Sequence, residues 1–405
     1  MTPLIIKQYI KEETISQFVD GDYYELAFYG SDMYEPFIEA DCWWKESVLN
    51  DLIYNNKKLA ICYMREPAFE HDLHVEKQIL LGHDLVNKHN VNPKNIVYFY
   101  STDLGKQTHK AVAEKHNLKQ QPFTIITFPY YEVDAYKKVI EQKICDHVTP
   151  EDTKTKNAVR TFLSLNGKPN KFMRLKQVAL YWQRRLMNNG LITLTRTEED
   201  KQHFPDLKDY YPYVSSILTE KDFEKLCKHW PHSLDEHNLE QGLYGKHFSG
   251  YPFDKKLFQD TYLSVISETH SGAHDCNPQF FPTEKTYKAI INCHPFIMLS
   301  TQNYLQHIQA QGYKTFSPYI DESYDQEPDA YKRMNLAIDQ VERLSKEGVP
   351  VDTLQTAIYN YAHLKSRVLT HLELVKGLMQ WPCYITVTLI GDILQAKTEN
   401  VKDYL

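Results

Sequence analysis

The segment 282–288, Pro-Thr-Glu-Lys-Thr-Tyr-Lys, has the composition of a helix start that can bind an anion. Thr283 is a good N-cap, which places Glu284 and Lys285 in the first turn. Lys288 follows about one turn later. The N–H groups and positive potential of a helix N-terminus favour a diphosphate, and Lys285 adds a full charge. Glu284 repels phosphate, so we expect it to bind sugar or ribose hydroxyls. The alternative interpretation is an ordinary solvated helix start.

A strand and a long polar loop precede this helix start. The stretch 261–268 has the pattern of a buried strand that ends in Glu268, and the loop THSGAHDCNPQFF follows it. Proteins with α/β folds place ligands in such loops, outside the carboxyl ends of the strands. Glu268 is therefore predicted to bind ribose hydroxyls, as acidic residues do in dinucleotide-binding folds.

A second strand-to-helix turn offers groups for the same diphosphate. The strand FLSL ends in Asn166, and a Gly-Lys-Pro turn leads into a helix that contains Arg174. The planar guanidinium fork of an arginine suits a diphosphate leaving group. Arg174 is therefore predicted to reach into a cleft between two domains and to bind the diphosphate there. A surface arginine on a basic helix is the alternative.

A candidate general base follows a strand in the first third of the chain. The segment 63–72, YMREPAFEHD, comes after the strand LAICY, and Glu66 lies nearest to the strand end. A base must reach the hydroxyl group that it deprotonates, so a position fixed by a strand is favourable. Glu66 is the predicted base, and Glu70, His71 and Asp72 are its rivals.

Other patterns carry less weight. His270, His274 and Cys276 share one loop, but no fourth ligand has a clear spacing, so we expect no bound metal. Asp20-Gly21-Asp22 has the form of a metal-binding DxD, yet it precedes the first clear α/β unit. The sequence contains no GxxxxGK[ST] and no GxGxxG after a strand, which removes support for ATPase and dehydrogenase activity.

Strands and helices alternate around these residues in two blocks. The first, over 57–128, predicts a parallel sheet with helices on both faces. The second runs from a strand at 159–166 to a final strand at 313–316, and residues 329–405 have a mostly helical pattern. The predicted domains are a Rossmann-like acceptor domain, a Rossmann-like donor domain and a helical tail that can pack back on the first domain. Their ranges are 1–155, 156–345 and 346–405, with a polar linker at 145–158.

Composition limits the class of protein. The net charge of −7 argues against non-specific coating of nucleic acid. The hydrophobic fraction is 42%, without a run of eighteen apolar residues or the pattern of a signal peptide. The seven cysteines are scattered and form no CxxC pair, which favours reduced thiols. We therefore expect a cytoplasmic protein that does not bind a membrane.

Three segments together resemble the α-1,3-fucosyltransferase family, whose members have the GT-B fold of two Rossmann-like domains that face a cleft. The match is close over TEKTYKAIINCHPFIML, residues 283–299. Asn166 and Arg174 are similar to that family's strand-ending Asn and following Arg, with longer spacing, and the resemblance implies that both bind the nucleotide-sugar donor. Glu66 is similar in position to its catalytic Glu, although Pro67 replaces the usual Asn. The stretch 280–325, which contains FFPTEKTYKAI, PFIMLS, YKTF and IDESYD, also resembles glycosyltransferases of large phages and giant viruses. For such a protein the location would be the host cytoplasm.

The resemblance implies an inverting glycosyltransferase that moves a sugar from a nucleoside-diphosphate sugar to a hydroxyl of a glycan or small acceptor. GDP-fucose is the family's donor, and no metal or other cofactor is needed. Glu66 would deprotonate the acceptor. Arg174, Lys285 and the helix N-terminus would stabilise the departing diphosphate.

Two other functions stay open at this point. One is a phage-type DNA glycosyltransferase that acts on hydroxymethylated bases, which requires base flipping and a basic rim. Candidate rim residues are Lys168, Lys171, Arg174, Lys176, Arg184 and Arg185. The other is a nucleotide-sugar-binding protein that has the fold without catalysis.

Overall fold

A computed structural model of the chain describes residues 23–27, 46–63, 73–101, 104–127, 129–141, 148–167, 169, 171–195, 198–229, 255–269 and 280–378. The chain divides into two compact units. One is formed by Met1–Val133 with Leu369–Leu405, and the other by Asp134–Val368. Each contains a four-stranded parallel sheet with helices between the strands, which confirms the predicted α/β fold class.

The elements are named here in chain order. Those up to residue 154 are β1 (Tyr23–Ala27), α1 (Glu46–Tyr54), β2 (Lys58–Tyr63), α2 (Leu73–His89), β3 (Ile96–Tyr100), α3 (Gly105–Lys115), β4 (Thr124–Thr127), α4 (Tyr130–Glu141) and α5 (Pro150–Lys154). The remaining elements are β5 (Arg160–Ser164), α6 (Phe172–Gln183), β6 (Gly190–Ile192), α7 (Glu198–His203), α8 (Glu220–Cys227), α9 (Lys255–Gln259), β7 (Thr261–Ser267), α10 (Glu284–Ile291), β8 (Phe296–Leu299), α11 (Tyr304–Ala310), α12 (Ala330–Glu347) and α13 (Thr353–Leu378). Short 3-10 helices cover Pro93–Asn95, Leu207–Tyr213 and Ser323–Gln326.

The strands of the first sheet stand in chain order, β1-β2-β3-β4. Since parallel crossovers are right-handed, a chain that always moves in one direction places its connecting helices on one face. The core agrees, because the paired residues Ile61 and Tyr98 share one cluster with Leu52 of α1, Ile79 of α2 and Val112 of α3. These three connecting helices thus lie on one face of the sheet. The alternation of strands and helices in the sequence had predicted helices on both faces.

The second sheet has a different order, β6-β5-β7-β8. Its strands are buried along most of their length, as expected for parallel strands that are covered on both faces. The long helix α12 packs against α6, β5 and β8 and contributes Ala337, Ile338, Val341 and Leu344 to the core. Arg184, after α6, forms a salt bridge with Asp339 of α12.

The described part of the predicted linker, 148–158, contains the helix α5. Thr149 and Asp152 form a capping box at its start. Just before it, the Val148 N–H donates to the side-chain oxygen of Asn292 at 2.9 Å. Side-chain capping satisfies amide groups that a five-residue helix cannot pair internally, which explains how this short polar segment becomes ordered.

The predicted strand at 313–316 is wrong, because these residues are irregular although Tyr313 and Phe316 are buried. The backbone of Lys314 pairs with the Asn360 side chain of α13 through two bonds of 2.8 Å. The Phe316 N–H donates to the Glu322 carboxylate at 2.7 Å. Side chains supplied by later segments therefore take the place of a neighbouring strand.

Glu322 lies in a strongly acidic environment. Burial raises its pKa to about 7, and Asp325 opposes its ionisation further. Burial also raises the pKa of Asp325 to about 6. Asp321 lies one residue away. The positive charge of Arg343 acts to lower the pKa of Asp321, and that of Arg333 acts to lower the pKa of Asp325. The folded protein therefore holds a proton on Glu322 more tightly than the unfolded chain does.

We expect this group to make stability fall as the pH rises. A raised carboxyl pKa stabilises the fold fully below the unfolded value near 4.5 and ceases to do so as the pH passes about 7. Between pH 5 and pH 8 the parent should lose about 2 kcal/mol of unfolding free energy more than Glu322→Gln does. Urea titrations of both proteins at the two pH values measure this difference. Equal losses would show that the pKa of Glu322 is the same in the folded and the unfolded protein.

Candidate donor site

The order of the second sheet creates a topological switch point between β5 and β7. From β5 the chain moves to β6 on one side, and β7 then pairs with β5 on the other side. Open α/β sheets bind ligands outside the carboxyl ends of the strands at such a reversal. The described strands of the first sheet contain no reversal of this kind. The segments that follow β5 and β7 are therefore the candidate site, and they carry the residues predicted from the sequence to bind the donor.

On the β5 side, Asn166 is buried with an exposed fraction of 1%. Its backbone N–H donates to the Thr193 hydroxyl at 2.7 Å, and its Nδ2 donates to Ser164 Oγ at 2.9 Å. Its Oδ1 is buried and has no hydrogen-bond partner among the described residues. Arg174 Nη1 donates to the Gly167 carbonyl at 2.9 Å. The guanidinium group is thus directed toward the loop that leaves β5.

A buried polar network connects the ends of β5 and β7. Gln177 of α6 is fully buried, and its Nε2 donates to Ser164 Oγ at 3.1 Å. Ser267 at the end of β7 donates to Gln177 Oε1. Tyr181 adds a hydrogen bond to Ser164 at 3.3 Å. Buried networks of this kind fix the relative positions of their members. This bridge was not predicted from the sequence, although a signal is present. Ser164 and Ser267 each stand at the end of an apolar strand.

On the β7 side, the Glu268 carboxylate accepts hydrogen bonds around the start of α10. Its Oε1 accepts from the Thr283 N–H at 3.0 Å and from the Thr286 N–H and hydroxyl at 3.3 and 2.6 Å. Its Oε2 accepts from the Thr283 hydroxyl at 2.6 Å and the Thr269 N–H at 3.2 Å. The Tyr304 hydroxyl lies 3.4 Å from Oε1. A buried carboxylate of the protein thus accepts from N–H groups at the helix start, where the sequence predicted that a diphosphate would bind.

The predicted N-cap Thr283 is confirmed, since its hydroxyl accepts from the Lys285 N–H at 3.4 Å. The Lys285 ammonium is 3.0 Å from each of the Thr269 and Thr283 hydroxyls and from the Glu284 carboxylate. Its side chain is 20% exposed. The ammonium group is therefore held by several partners at the helix start while part of the side chain reaches the surface.

Glu284 forms an ion pair at the same helix start. Burial acts to raise its pKa, but the charges of Lys285 and then Lys288 outweigh burial and lower the pKa to about 2. Its side chain is 19% exposed, comparable with Lys285. Glu284 is thus a carboxylate at neutral pH and can accept hydrogen bonds from hydroxyl groups of a ligand.

The predicted donor-binding residues all lie on these two segments of the second unit. Asn166 and Arg174 are on the β5 side, while Glu268 and the residues of α10 are on the β7 side. The proposed base Glu66 and its rivals Glu70, His71 and Asp72 lie outside the described residues, as do His270, His274, Cys276 and Asp20-Gly21-Asp22. Among the described residues, no group of three or more His, Cys, Asp or Glu side chains could hold a metal ion.

No helix in the described part of the chain combines the length and the apolar character needed to span a membrane. Comparison with known proteins gives no matching family model and no matching curated protein. Similar solved structures include the spinosyn rhamnosyltransferase SpnG, with 10% identity and a TM-score of 0.35 over 76% of this chain and 68% of that chain.

Two further similar structures concern trehalose phosphate. A UDP-forming α,α-trehalose-phosphate synthase from Burkholderia xenovorans has 11% identity and a TM-score of 0.38 over 85% of this chain and 69% of that chain. An E. coli structure described as trehalose-6-phosphate bound with UDP-2-fluoro glucose has 11% identity and a TM-score of 0.45 over 91% of this chain and 74% of that chain.

Proposed function

We propose that the protein is a glycosyltransferase that binds a nucleoside-diphosphate sugar at the switch point between β5 and β7. The observation that carries this proposal is the Lys285 ammonium, held at the start of α10 by the Thr269 and Thr283 hydroxyls on the segment that follows β7. The Gln177 bridge connects the end of β7 to the end of β5. A fixed cation at a strand end, next to hydroxyl and carboxylate groups, suits a ligand that has both phosphate and hydroxyl groups.

The chemistry follows from where charge develops during transfer. When the bond from the sugar to the diphosphate breaks, negative charge accumulates on the departing phosphate oxygens. Preorganised cations at that position stabilise the transition state more than the ground state. Lys285 would supply a point charge and Arg174 a planar pair of donors. Lys288, Glu284 and Asn166 complete the proposed donor site, with Glu284 accepting from donor hydroxyls.

Glu268 takes a different role in this proposal. Its oxygens already accept hydrogen bonds from Thr269, Thr283 and Thr286. Three of the backbone N–H groups at the start of α10 are used within the protein, because Glu268 accepts from two of them and the Thr283 hydroxyl accepts from that of Lys285. We assign Glu268 to positioning this helix start and not to ribose. The diphosphate then relies on side-chain cations more than on free amides.

The finer assignments rest on the resemblance in the sequence. They are GDP-fucose as donor, inversion at the transferred carbon, a glycan or small hydroxyl acceptor, Glu66 as base and no metal requirement. A cytoplasmic location is proposed from the composition alone. A panel of GDP, UDP, CMP and their sugars tests the donor by thermal shift. A nucleotide at 100 times its dissociation constant should stabilise the protein by about 2.7 kcal/mol. Stabilisation by none of them would refute a nucleotide-sugar site.

We expect Lys285→Met and Arg174→Gln each to weaken binding of the best nucleoside diphosphate by about tenfold to a hundredfold. The reason is the loss of a charge-assisted hydrogen bond of roughly 1.5–3 kcal/mol. Isothermal titration measures the effect, and EDTA should leave it unchanged. Lys225→Met is the matched control, because Lys225 is an exposed lysine in α8 that pairs only with Asp222 among the described acidic residues. Parental affinity in both variants would show that the donor site lies elsewhere.

A further inference from the structure

A second polar cavity, of about 790 Å³, lies in the same unit between α11 and the segment 317–326. We call it the α11 pocket. Its volume is in the range of pockets that bind small molecules, about 300–1,000 Å³. The pocket includes Gln302 and Asn303, which lie in the turn between β8 and α11. It is distinct from the proposed donor site, since none of the predicted donor-binding residues lines it.

The lining groups select for a particular ligand chemistry. Carboxamides, hydroxyls and carboxylates predominate, and the apolar members are Leu305 and Ile320. Gln302 donates to the Gln326 carbonyl at 2.8 Å and Gln309 donates to the Thr315 hydroxyl at 2.9 Å. Each of these bonds uses one of the four hydrogen-bonding positions of a carboxamide. The pocket wall thus offers donors and acceptors side by side, an arrangement that pairs with neighbouring hydroxyl groups.

Charge restricts the ligand further. Three acidic residues line the pocket, namely Asp321, Glu322 and Asp325, whereas no Lys, Arg or His is among its described lining residues. Arg343 acts to lower the pKa of Asp321 and Arg333 acts to lower that of Asp325, but neither arginine is among the described lining residues. An anionic ligand such as a sugar phosphate would therefore meet carboxylates on the wall without a cation beside them. An ammonium group would be attracted.

We propose that the α11 pocket binds a polyhydroxylated amine, the chemical class of a hexosamine with a free amino group. The hydroxyl groups pair with the carboxamides of α11, and the ammonium group lies against the exposed carboxylate of Asp321. Glu322 and Asp325 already accept from backbone N–H groups, at 2.7 and 2.9 Å, and add negative charge to the same wall. Because burial raises the pKa of Glu322 and Asp325, a bound cation also favours their ionisation. Binding should therefore release protons.

The test uses the full chain without nucleotide and three probes with one ring shape and different charge: glucosamine, glucose and glucose 6-phosphate. Binding is measured at pH 7 by isothermal titration or ligand-observed NMR. Glucosamine should bind at least about tenfold more tightly than glucose, as expected for a charge-assisted hydrogen bond. Glucose 6-phosphate should bind no more tightly than glucose.

A charge placed on the pocket wall locates the site. Gln306 is exposed and lines the pocket, so Gln306→Lys should weaken glucosamine binding by about tenfold or more. Gln355→Lys adds the same charge at an exposed position of α13 outside the pocket and should bind like the parent. The proposal is overturned if glucosamine does not bind, if glucose 6-phosphate binds equally well, or if both lysine variants retain parental affinity.

This inference does not depend on the proposed transferase activity. Lys285→Met should leave glucosamine binding unchanged, because Lys285 lies outside the pocket. Loss of nucleotide binding with intact glucosamine binding would count against the donor site alone.

Discussion

Replacement of Glu268 by alanine should lower the unfolding free energy by about 3–5 kcal/mol, the range seen when one partner of a buried charged network is removed. The side chain is fully buried and accepts from the Thr283 and Thr286 hydroxyls at 2.6 Å. Without it, these hydroxyls and the adjacent N–H groups lose their acceptor inside the protein. Each unsatisfied buried donor costs about 1–3 kcal/mol. The start of α10 would also lose the negative charge that complements its dipole.

Urea unfolding of three variants separates this role from an ordinary helix-dipole effect. Glu268→Gln keeps the shape of the side chain but replaces one acceptor oxygen by a donor. Its unfolding free energy should therefore lie between those of the parent and Glu268→Ala. Glu220→Ala is the matched control, because Glu220 is an exposed acidic residue in the first turn of α8. It should cost no more than about 1 kcal/mol. Equal effects of Glu268→Ala and Glu220→Ala would show that the hydrogen-bonded carboxylate does not hold the helix start.

The second large effect concerns catalysis. We expect Glu66→Ala to lower sugar transfer by roughly 10²-fold or more, because a general base usually contributes roughly 10²–10⁴ in rate. Affinity for the nucleoside diphosphate and the unfolding free energy should stay at parental values, since the base acts on the acceptor hydroxyl. Steady-state rates with the donor from the nucleotide panel measure the loss.

The neighbours of Glu66 provide the controls for this experiment. Glu70→Ala should transfer at near-parental rate if Glu66 is the base. A Glu66 variant with near-parental transfer would refute the assignment. His71 and Asp72 would then be the candidates, and the resemblance of the first domain to fucosyltransferases would lose its support.

Local signals account for what could be predicted from the sequence. The start of α10 follows from Thr283 as N-cap, and the end of β7 follows from the apolar run that stops before Glu268. By contrast, β6 has only three residues, Gly190–Ile192, which is too short for a recognisable period. The irregular segment 313–316 has an apolar pattern, but its backbone partners come from the side chains of Asn360 and Glu322.

The site shows the same division between local and long-range information. The sequence placed Asn166 and Glu268 after strands and Arg174 and Lys285 in the helices that follow, and the structure has them there. The partners of Glu268 could not be predicted, because Thr283 and Thr286 are 15 and 18 residues away along the chain. The strand order that makes β5 and β7 neighbours is likewise a long-range property. Helix periodicity cannot reveal it.

Hydrogen exchange on nucleotide binding tests the central claim most directly. The protein is saturated with the nucleoside diphosphate that gives the largest thermal shift, and amide exchange is followed by mass spectrometry in peptides that cover the whole chain. We predict slower exchange in the segments 165–174 and 268–288, which follow β5 and β7. The segment 46–127 of the first unit serves as the internal reference. Slower exchange in the reference segment, with none in either donor segment, would contradict a nucleotide-sugar site at the switch point.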